Sequence, residues 1–396
     1  MSGILRADLS SAALRRNVAA VRGLVGPGVA LCAVVKANAY GHGLEELLPE
    51  MSGVVDWLAV TLPATALRVR ELGWRGPVLA FFRAAGSAPR DVVASKVEEL
   101  ARQEVTVTFA GEADLDLLAG IAARVGRPVA VHLKVDTGMT RSGVLPPAAP
   151  GWIARLRARS DIRLTGVYTQ IASADARDLG SARRQLAVFD EVLAAAGGGA
   201  GLVVHAANSA ATLVLPESRY DLVRTGLALY GCYPSPEMER PLALEPVLRL
   251  CAQLLEVKTV PAGSRTGYGL TYVFERESRI GLVSVGYADG YPRALGGRAT
   301  MRVQDRDVPV RGRVSMDQAV VDLTGVAGCE VGDEVEVISS DPRSPHSLEN
   351  LARLADTVPY EIACGLGRRV ERRVVASSPK LARSEAAAGS LERPAP

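Results

Sequence analysis

The 396 residues carry 46 Lys and Arg against 43 Asp and Glu, a formal net charge of only +3, and no Lys/Arg block stands out. Neither nucleic acid nor an acidic membrane surface is therefore an expected partner. The five cysteines (Cys32, Cys232, Cys251, Cys329, Cys364) are odd in number and lack C-x-x-C spacing, which argues against a disulfide framework or a zinc site and suits a reducing compartment.

Taken from its first residue, the chain shows no signal-peptide pattern and no window of about 18 uninterrupted apolar residues, so a soluble, cytoplasmic protein is expected. Its length suits two domains, one of them large enough to be a barrel. Met1 to Leu9 reads as a short strand, and a helical period begins at Ser10, with Ser10 or Ser11 as its cap. Eight apolar, β-rich runs then alternate with helix-like stretches: VALCAVV from Val29, DWLAV near 56, PVLAFF near 77, VTVTFA near 105, VAVHLKVD near 129, IRLTGVYTQ near 162, LVVHAANS near 202 and YDLVRTG near 220. The helical stretches include ATALRVRELG, a segment from Ala88 containing Pro89, EADLDLLAGIAARVG and ARRQLAVFDEVLAAAG. Eight βα units with nearly continuous apolar strands predict an α/β fold, a parallel (β/α)8 barrel of the TIM type over 10–240.

YPSPEMERPLALEP breaks that rhythm and marks a boundary near 235 to 246. Beyond it, alternating runs and turn signals predict a mainly β domain over 241–376, to which residues 1–9 are assigned, with one helical piece around Leu348 to Ala355. The last stretch, 377–396, has the composition of a disordered tail. No repeat of fixed period is present.

In a parallel barrel the chemistry sits where the strands end. The first run, VALCAVVKANAYGHG, ends in Lys36, an amine at the mouth of a buried strand. A lone lysine there is usually a snorkelling surface group. The sharper reading is a desolvated amine of lowered pKa, able to form a Schiff base, with Tyr40 and Gly43 shaping a tight pocket behind it. LKVDTGMTRSG sets Lys134 in a strand and Arg141 on the same rim; an arginine in such a loop is more often simply solvated. Gln170 ends the sixth run and Ser209 the seventh, and Arg224 to Gly226 closes the eighth. Ser209 with the amides around Gly226 and Leu227 occupies the usual phosphate position in barrels, although an ordinary turn reads the same way. In TGYGLTY, Tyr268 lies between two glycines, where a turn can present a phenol without cover.

VVKANAYGHG matches, over ten contiguous residues, the pyridoxal-phosphate attachment motif of alanine racemases, with Lys36 as the attachment lysine. The resemblance extends from about 5 to 375 and implies a set of roles. Pyridoxal 5'-phosphate is the cofactor, and no metal is implied. Arg141 would donate to the cofactor's phenolic oxygen and touch substrate, and Lys134 resembles a lysine that is often carbamylated and orients that arginine. Arg224 would face the pyridine nitrogen, held by His205; a guanidinium does not hand the ring a proton, which favours reprotonation at Cα over transamination. Tyr268 resembles a second base opposite Lys36. Met316, in GRVSMDQ, would help hold the substrate carboxylate, and Tyr287, in GYADGYPR, would line the entry. In the family the tyrosine and methionine come from the partner subunit, which implies a head-to-tail homodimer acting on a small amino acid.

Two positions depart from the family pattern. Gln170 stands where a histidine usually packs on the cofactor ring, and Arg368 occupies a position that is tyrosine in some relatives. The sequence reading is thus an amino-acid racemase, with alanine as substrate. Its rivals are a racemase of serine or of broader specificity, a decarboxylase of the same barrel class, and a non-catalytic pyridoxal-phosphate-binding protein.

Overall fold

Runs such as ALCAV and TVTF are apolar or β-branched almost throughout, which suits strands covered on both faces. In the computed structural model, which describes residues 4–83 and 90–377, they form the staves of a parallel barrel. After β1 (Arg6–Ser10) come β2 (Ala30–Val34), β3 (Trp57–Val60), β4 (Val78–Arg83), β5 (Thr106–Phe109), β6 (Val129–Lys134), β7 (Ile162–Tyr168), β8 (Val203–His205) and β9 (Leu222–Thr225). The eight strands β2 to β9 lie side by side in the order β8-β7-β6-β5-β4-β3-β2-β9. Hydrogen bonds from Asp221 N to Val204 O (3.1 Å) and from Arg224 N to Ala207 O (3.0 Å) draw β8 against β9 and complete the ring. The expected (β/α)8 barrel is present.

The helix Ser11–Val25 starts where the sequence placed it, because the Ser10 Oγ accepts the Ala13 N–H at 3.1 Å. The segment read as helical from Ala88 is helical from Arg90 to Arg102, and Ala88 and Pro89 lie outside the described residues. A helix at Ala149–Arg157 was not anticipated, since Pro146, Pro147 and Pro150 read as breakers. Proline costs a helix little in its first turn, where its N–H would have no partner, and Pro150 sits there.

The second sheet is mainly antiparallel and contains β10 (Leu248–Val260), β13 (Ser278–Val283), β14 (Thr300–Val303), β15 (Arg306–Arg311), β16 (Ala319–Asp322), β17 (Glu334–Ile338) and β18 (Glu371–Val375), together with β1. A separate ribbon pairs β11 (Arg265–Thr266) with β12 (Tyr272–Val273). The long β10 bonds to β1 and β17 through one part of its length and to β13 through the other. Its register shift between Leu254 and Glu256 curls the sheet back on itself. Two helices, Leu348–Leu354 and Pro359–Gly365, replace the single helical piece expected. The second was hidden by its leading Val-Pro, which reads as extended chain but here supplies the first helical residue. The tail from Ser378 onward lies outside the described residues.

The two sheets are tied where the site is built. The Asn17 side-chain amide donates to Leu229 O (3.1 Å) and Glu245 O (2.7 Å) while its carbonyl accepts from Glu245 N (2.8 Å). Helix Pro359–Gly365 lies directly on the residues after β2: a Cβ on Gly41 would stand 1.7 Å from the Ala363 carbonyl oxygen.

Candidate active site

The chain leaves β2 through Val35 and Lys36 and then turns the wrong way. Ala37, Asn38, Ala39 and Tyr40 have φ of 50°, 56°, 52° and 53°, a single left-handed turn without one glycine. Such backbone costs a non-glycine residue roughly 1–2 kcal/mol, so the surroundings must over-determine it. They do so with polar contacts. Asn38 accepts from Gly43 N through its backbone oxygen (2.9 Å) and from Leu44 N through Oδ1 (2.8 Å). His42 Nδ1 bonds Tyr40 O at 3.0 Å, and Arg372, on β18, donates Nε–H to Gly41 O at 2.9 Å.

The turn carries Lys36 and Tyr40 on the rim of the barrel. Lys36 is half-buried, with its ammonium nitrogen 5.7 Å from the centre of the Tyr40 ring. Burial, reinforced by the nearby Arg141 charge, holds its pKa below the ordinary lysine value. Tyr40 is buried between Tyr230 and Tyr360, with ring centres 5.5 and 5.6 Å away. Its hydroxyl reaches Gly226, where a Cβ would come within 2.5 Å of it. Gly226 therefore has to be glycine.

Beside it, Ser209 starts the helix Ser209–Val214 rather than ending a strand, and its Oγ accepts from Gly226 N (2.9 Å) and Ala228 N (3.4 Å). Leu227, between those amides, is fully buried.

The cations come from β6 and β9. Lys134, at the end of β6, is 9% exposed, with its amine 5.9 Å from the Tyr168 ring centre and, among the described residues, no carboxylate bonded to it. Burial first, then Arg141 and Arg224, lowers its pKa to about 8. Arg141 is exposed; its loop is ordered by Asp136, whose carboxylate accepts from Gly138 N (3.1 Å), Thr140 N (2.9 Å) and Arg141 N (2.9 Å). Arg224 is buried and donates to His205 Nδ1 (2.7 Å), Thr169 O (2.9 Å), Ala206 O (3.0 Å) and Gln170 Oε1 (3.2 Å). Every one of those acceptors is neutral. Burial lowers the Arg224 pKa to about 10, still well above neutrality, so the guanidinium keeps its charge.

This arrangement makes a pH prediction. Lys134 binds its proton less readily folded (about 8) than unfolded (about 10.5), so its burial penalty is full below pH 8 and is relieved as pH rises toward 10.5. In carbonate-free buffer, Lys134→Met is expected to be the more stable protein at pH 7 by a few kcal/mol, with the advantage shrinking between pH 8 and 10.5. Urea midpoints of the two proteins across that range check it; a pH-independent difference would mean that the amine is not desolvated.

Thus Lys36, Tyr40, Lys134, Gln170, His205, Ser209, Arg224, Gly226 and Leu227 gather at one end of the barrel. Tyr268, Tyr287 and Met316 do not join them within the protomer. They are 71%, 43% and 53% exposed. Among the described residues no hydrogen bond, ion pair or ring contact links them to Lys36, Lys134, Arg141 or Arg224. Their loops are nonetheless seated on one another: Tyr287 N bonds Ser315 O (3.1 Å), Ala288 N bonds Met316 O (2.9 Å), and Gly267 packs on Arg313. Arg368 lines an open groove of about 570 Å³ with Asn38, Leu44, Arg68 and Arg372.

Two residues that the sequence reading passed over belong to the cluster. Tyr360 packs on Tyr40, and Tyr168 stacks on His205 with centres 4.8 Å apart and planes 5° from parallel, under the Arg224 guanidinium at 5.3 Å. The signal for Tyr168 was its place at the end of a barrel strand, in the run read only for Gln170.

Comparison with known proteins accounts for this arrangement. The sequence model "Alanine racemase, N-terminal domain" matches residues 9–234, and "Alanine racemase, C-terminal domain" matches 247–374. The alanine racemase of Halothermothrix orenii is 36% identical over 378 residues, covering 92% of this chain and 95% of that protein. The crystal structure of alanine racemase from D-cycloserine-producing Streptomyces lavendulae superposes with a TM-score of 0.88 at 38% identity, over 95% of this chain and 98% of that one. The Bartonella henselae alanine racemase structure with covalently bound pyridoxal phosphate gives a TM-score of 0.82 at 26% identity, over 94% and 100% of the two chains. With both sheets matched and the parallel barrel carrying its lysine on the strand-end rim, this chain belongs to the alanine racemase family.

Proposed function

We propose that the protein interconverts L- and D-alanine with pyridoxal 5'-phosphate as cofactor, and that two chains pair head-to-tail to complete each site. The observation that carries this is a rim holding Lys36, Lys134 and Arg224, none of them bonded to a carboxylate among the described residues, around a glycine-lined edge. Cations left without acidic partners suit an anionic, aromatic ligand, and the residues present fit that cofactor. Lys36 would hold it covalently; Arg224 would face its ring nitrogen, with Gln170 beside that guanidinium. Tyr40, Ser209 and the amides of Gly226 and Leu227 would hold its phosphate end. Arg141 would meet its phenolic oxygen and the substrate carboxylate, with Lys134, as its carbamate, orienting the arginine.

When bound, the cofactor supplies an electron sink that acidifies the Cα proton of an amino acid. The chain's own residues then move that proton. The Lys36 amine, its basicity lowered by burial, takes it from or returns it to one face of Cα, and the Tyr268 phenol does so at the other. Inversion follows because the two groups approach from opposite sides. Tyr268, with Tyr287 and Met316, stands exposed on the second sheet's side of the protomer, available to a partner's barrel mouth. Met316 would help hold the substrate carboxylate there, and Tyr287 would line the entry. The absence, among the described residues, of any helix long and apolar enough to cross a membrane leaves a cytoplasmic setting as the expectation.

Incubation of the purified protein with L-alanine and the cofactor in deuterated water tests the reading: deuterium should enter Cα as D-alanine accumulates. Retention of hydrogen with no D-alanine formed would overturn it, and a clear preference for L-serine would move the assignment to the rival racemase. Gln170 decides how strongly that rival presses. Its Oε1 accepts from Arg224 at 3.2 Å, a contact a protonated imidazole could not make. Gln170→His is expected to leave cofactor binding intact and change kcat severalfold; unchanged kcat and substrate preference would show that the amide is silent.

A further inference from the structure

The contact between Arg224 and His205 continues into the barrel through a second histidine, His132, that the site does not otherwise use. His205 Nε2 lies 2.8 Å from His132 Nδ1, with ring centres 5.0 Å apart, and both rings are fully buried. The far nitrogen, His132 Nε2, is buried without any hydrogen-bond partner among the described residues. It faces the α-carbon of Gly166 on β7, where a Cβ would sit 2.6 Å from it, and the Trp57 ring flanks the imidazole with centres 5.6 Å apart.

The protons in this chain can be placed by logic alone. A guanidinium only donates, so His205 Nδ1 must be an acceptor, and the neutral ring then carries its proton on Nε2. That N–H can only donate to His132 Nδ1, which leaves the His132 proton on Nε2, the atom with no partner. Leaving a buried N–H unsatisfied costs stability, and an apolar ring would avoid that cost. Something in the chain therefore requires an acceptor at His132 Nδ1.

We propose that His132 is a positioning residue for Arg224: by accepting from His205 Nε2–H it fixes the His205 tautomer, and so holds the guanidinium in place using neutral acceptors only. Without it, His205 is free to carry its proton on Nδ1, which would set N–H against N–H and push the arginine off its aim. A carboxylate would orient the arginine equally well but would cancel its charge. Burial supports the neutral state of both rings, holding the His132 pKa near about 3 and that of His205 well below the usual imidazole value. The consequence for turnover rests on the cofactor reading above, whereas the tautomer claim does not.

The chain has four histidines, which makes the test direct. In holoenzyme labelled with 15N only in histidine, solid-state NMR should show His132 and His205 as Nε2–H tautomers, assigned by comparison with single variants. His132→Leu removes the acceptor at similar volume and should mix the His205 tautomers and lower kcat about tenfold, with KM for alanine little changed. His132→Asn keeps an acceptor near the Nδ1 position and should restore both. A wild-type His132 or His205 protonated on Nδ1 overturns the proposal, and that measurement requires no variant to fold. It is also overturned if His205 keeps one tautomer in His132→Leu, or if His132→Asn is as impaired as His132→Leu. Loss of racemisation in an assay of the wild type, with the tautomers as stated, would count against the cofactor reading alone.

Discussion

Lys36→Ala is expected to yield a folded, colourless protein whose racemisation falls by on the order of 10³-fold or more. Lys36 is only half-buried and makes no side-chain hydrogen bond among the described residues, so its removal leaves the β2 core and the left-handed turn standing. What disappears is the amine that would hold the cofactor and exchange one of the two protons. Absorbance of the washed protein and circular dichroism read these separately. If washed Lys36→Ala keeps the visible band of the wild type, another amine is the attachment point; Lys134, the other desolvated lysine on the rim, would then be the residue to test.

Tyr268→Phe is expected to keep the cofactor and the colour while slowing turnover by roughly 10²- to 10⁴-fold, the usual worth of a positioned proton carrier. Because it would serve one face of Cα, hydrogen exchange from one enantiomer should suffer more than from the other. At 71% exposure Tyr268 contributes little to its own protomer's core, so a loss of stability is not expected. Mixing the two inactive proteins then tests the shared site. If Lys36 and Tyr268 of different chains meet, a hybrid dimer of Lys36→Ala with Tyr268→Phe has one site wild type at both positions. Random exchange should then restore about a quarter of wild-type activity. No restoration after subunit exchange, verified by mass spectrometry of the dimers, would sink the head-to-tail arrangement.

The barrel was legible because its eight strands are buried on both faces and so read as unbroken apolar runs, with chemistry confined to their ends. Lys36, Lys134, Gln170 and Arg224 were found by asking what terminates each run. The left-handed turn was not legible: AlaAsnAlaTyr has no glycine to announce positive φ, and beside its local bonds it is packed by Ala363 and bonded by Arg372, over 300 positions along the chain. Tyr360 was hidden for a related reason, since it lies on a helix that Pro359 disguises as extended chain. Arg368, noted as a departure at a position that is tyrosine in some relatives, lines the groove outside the turn, and Tyr360 is the aromatic group that reaches Tyr40. Local pattern finds what a strand presents; it does not find what a distant helix presses into place.

That distance sets an order of events during biosynthesis. Arg372 emerges long after Lys36, and until it arrives residues 37–40 lack its bond to Gly41 O and lean on the nearby bonds of Asn38 and His42. A ribosome-bound chain with the barrel finished and β18 still in the exit tunnel would therefore carry that turn less firmly held. The backbone that bears the lysine receives its last brace only when β18 pairs beside β1.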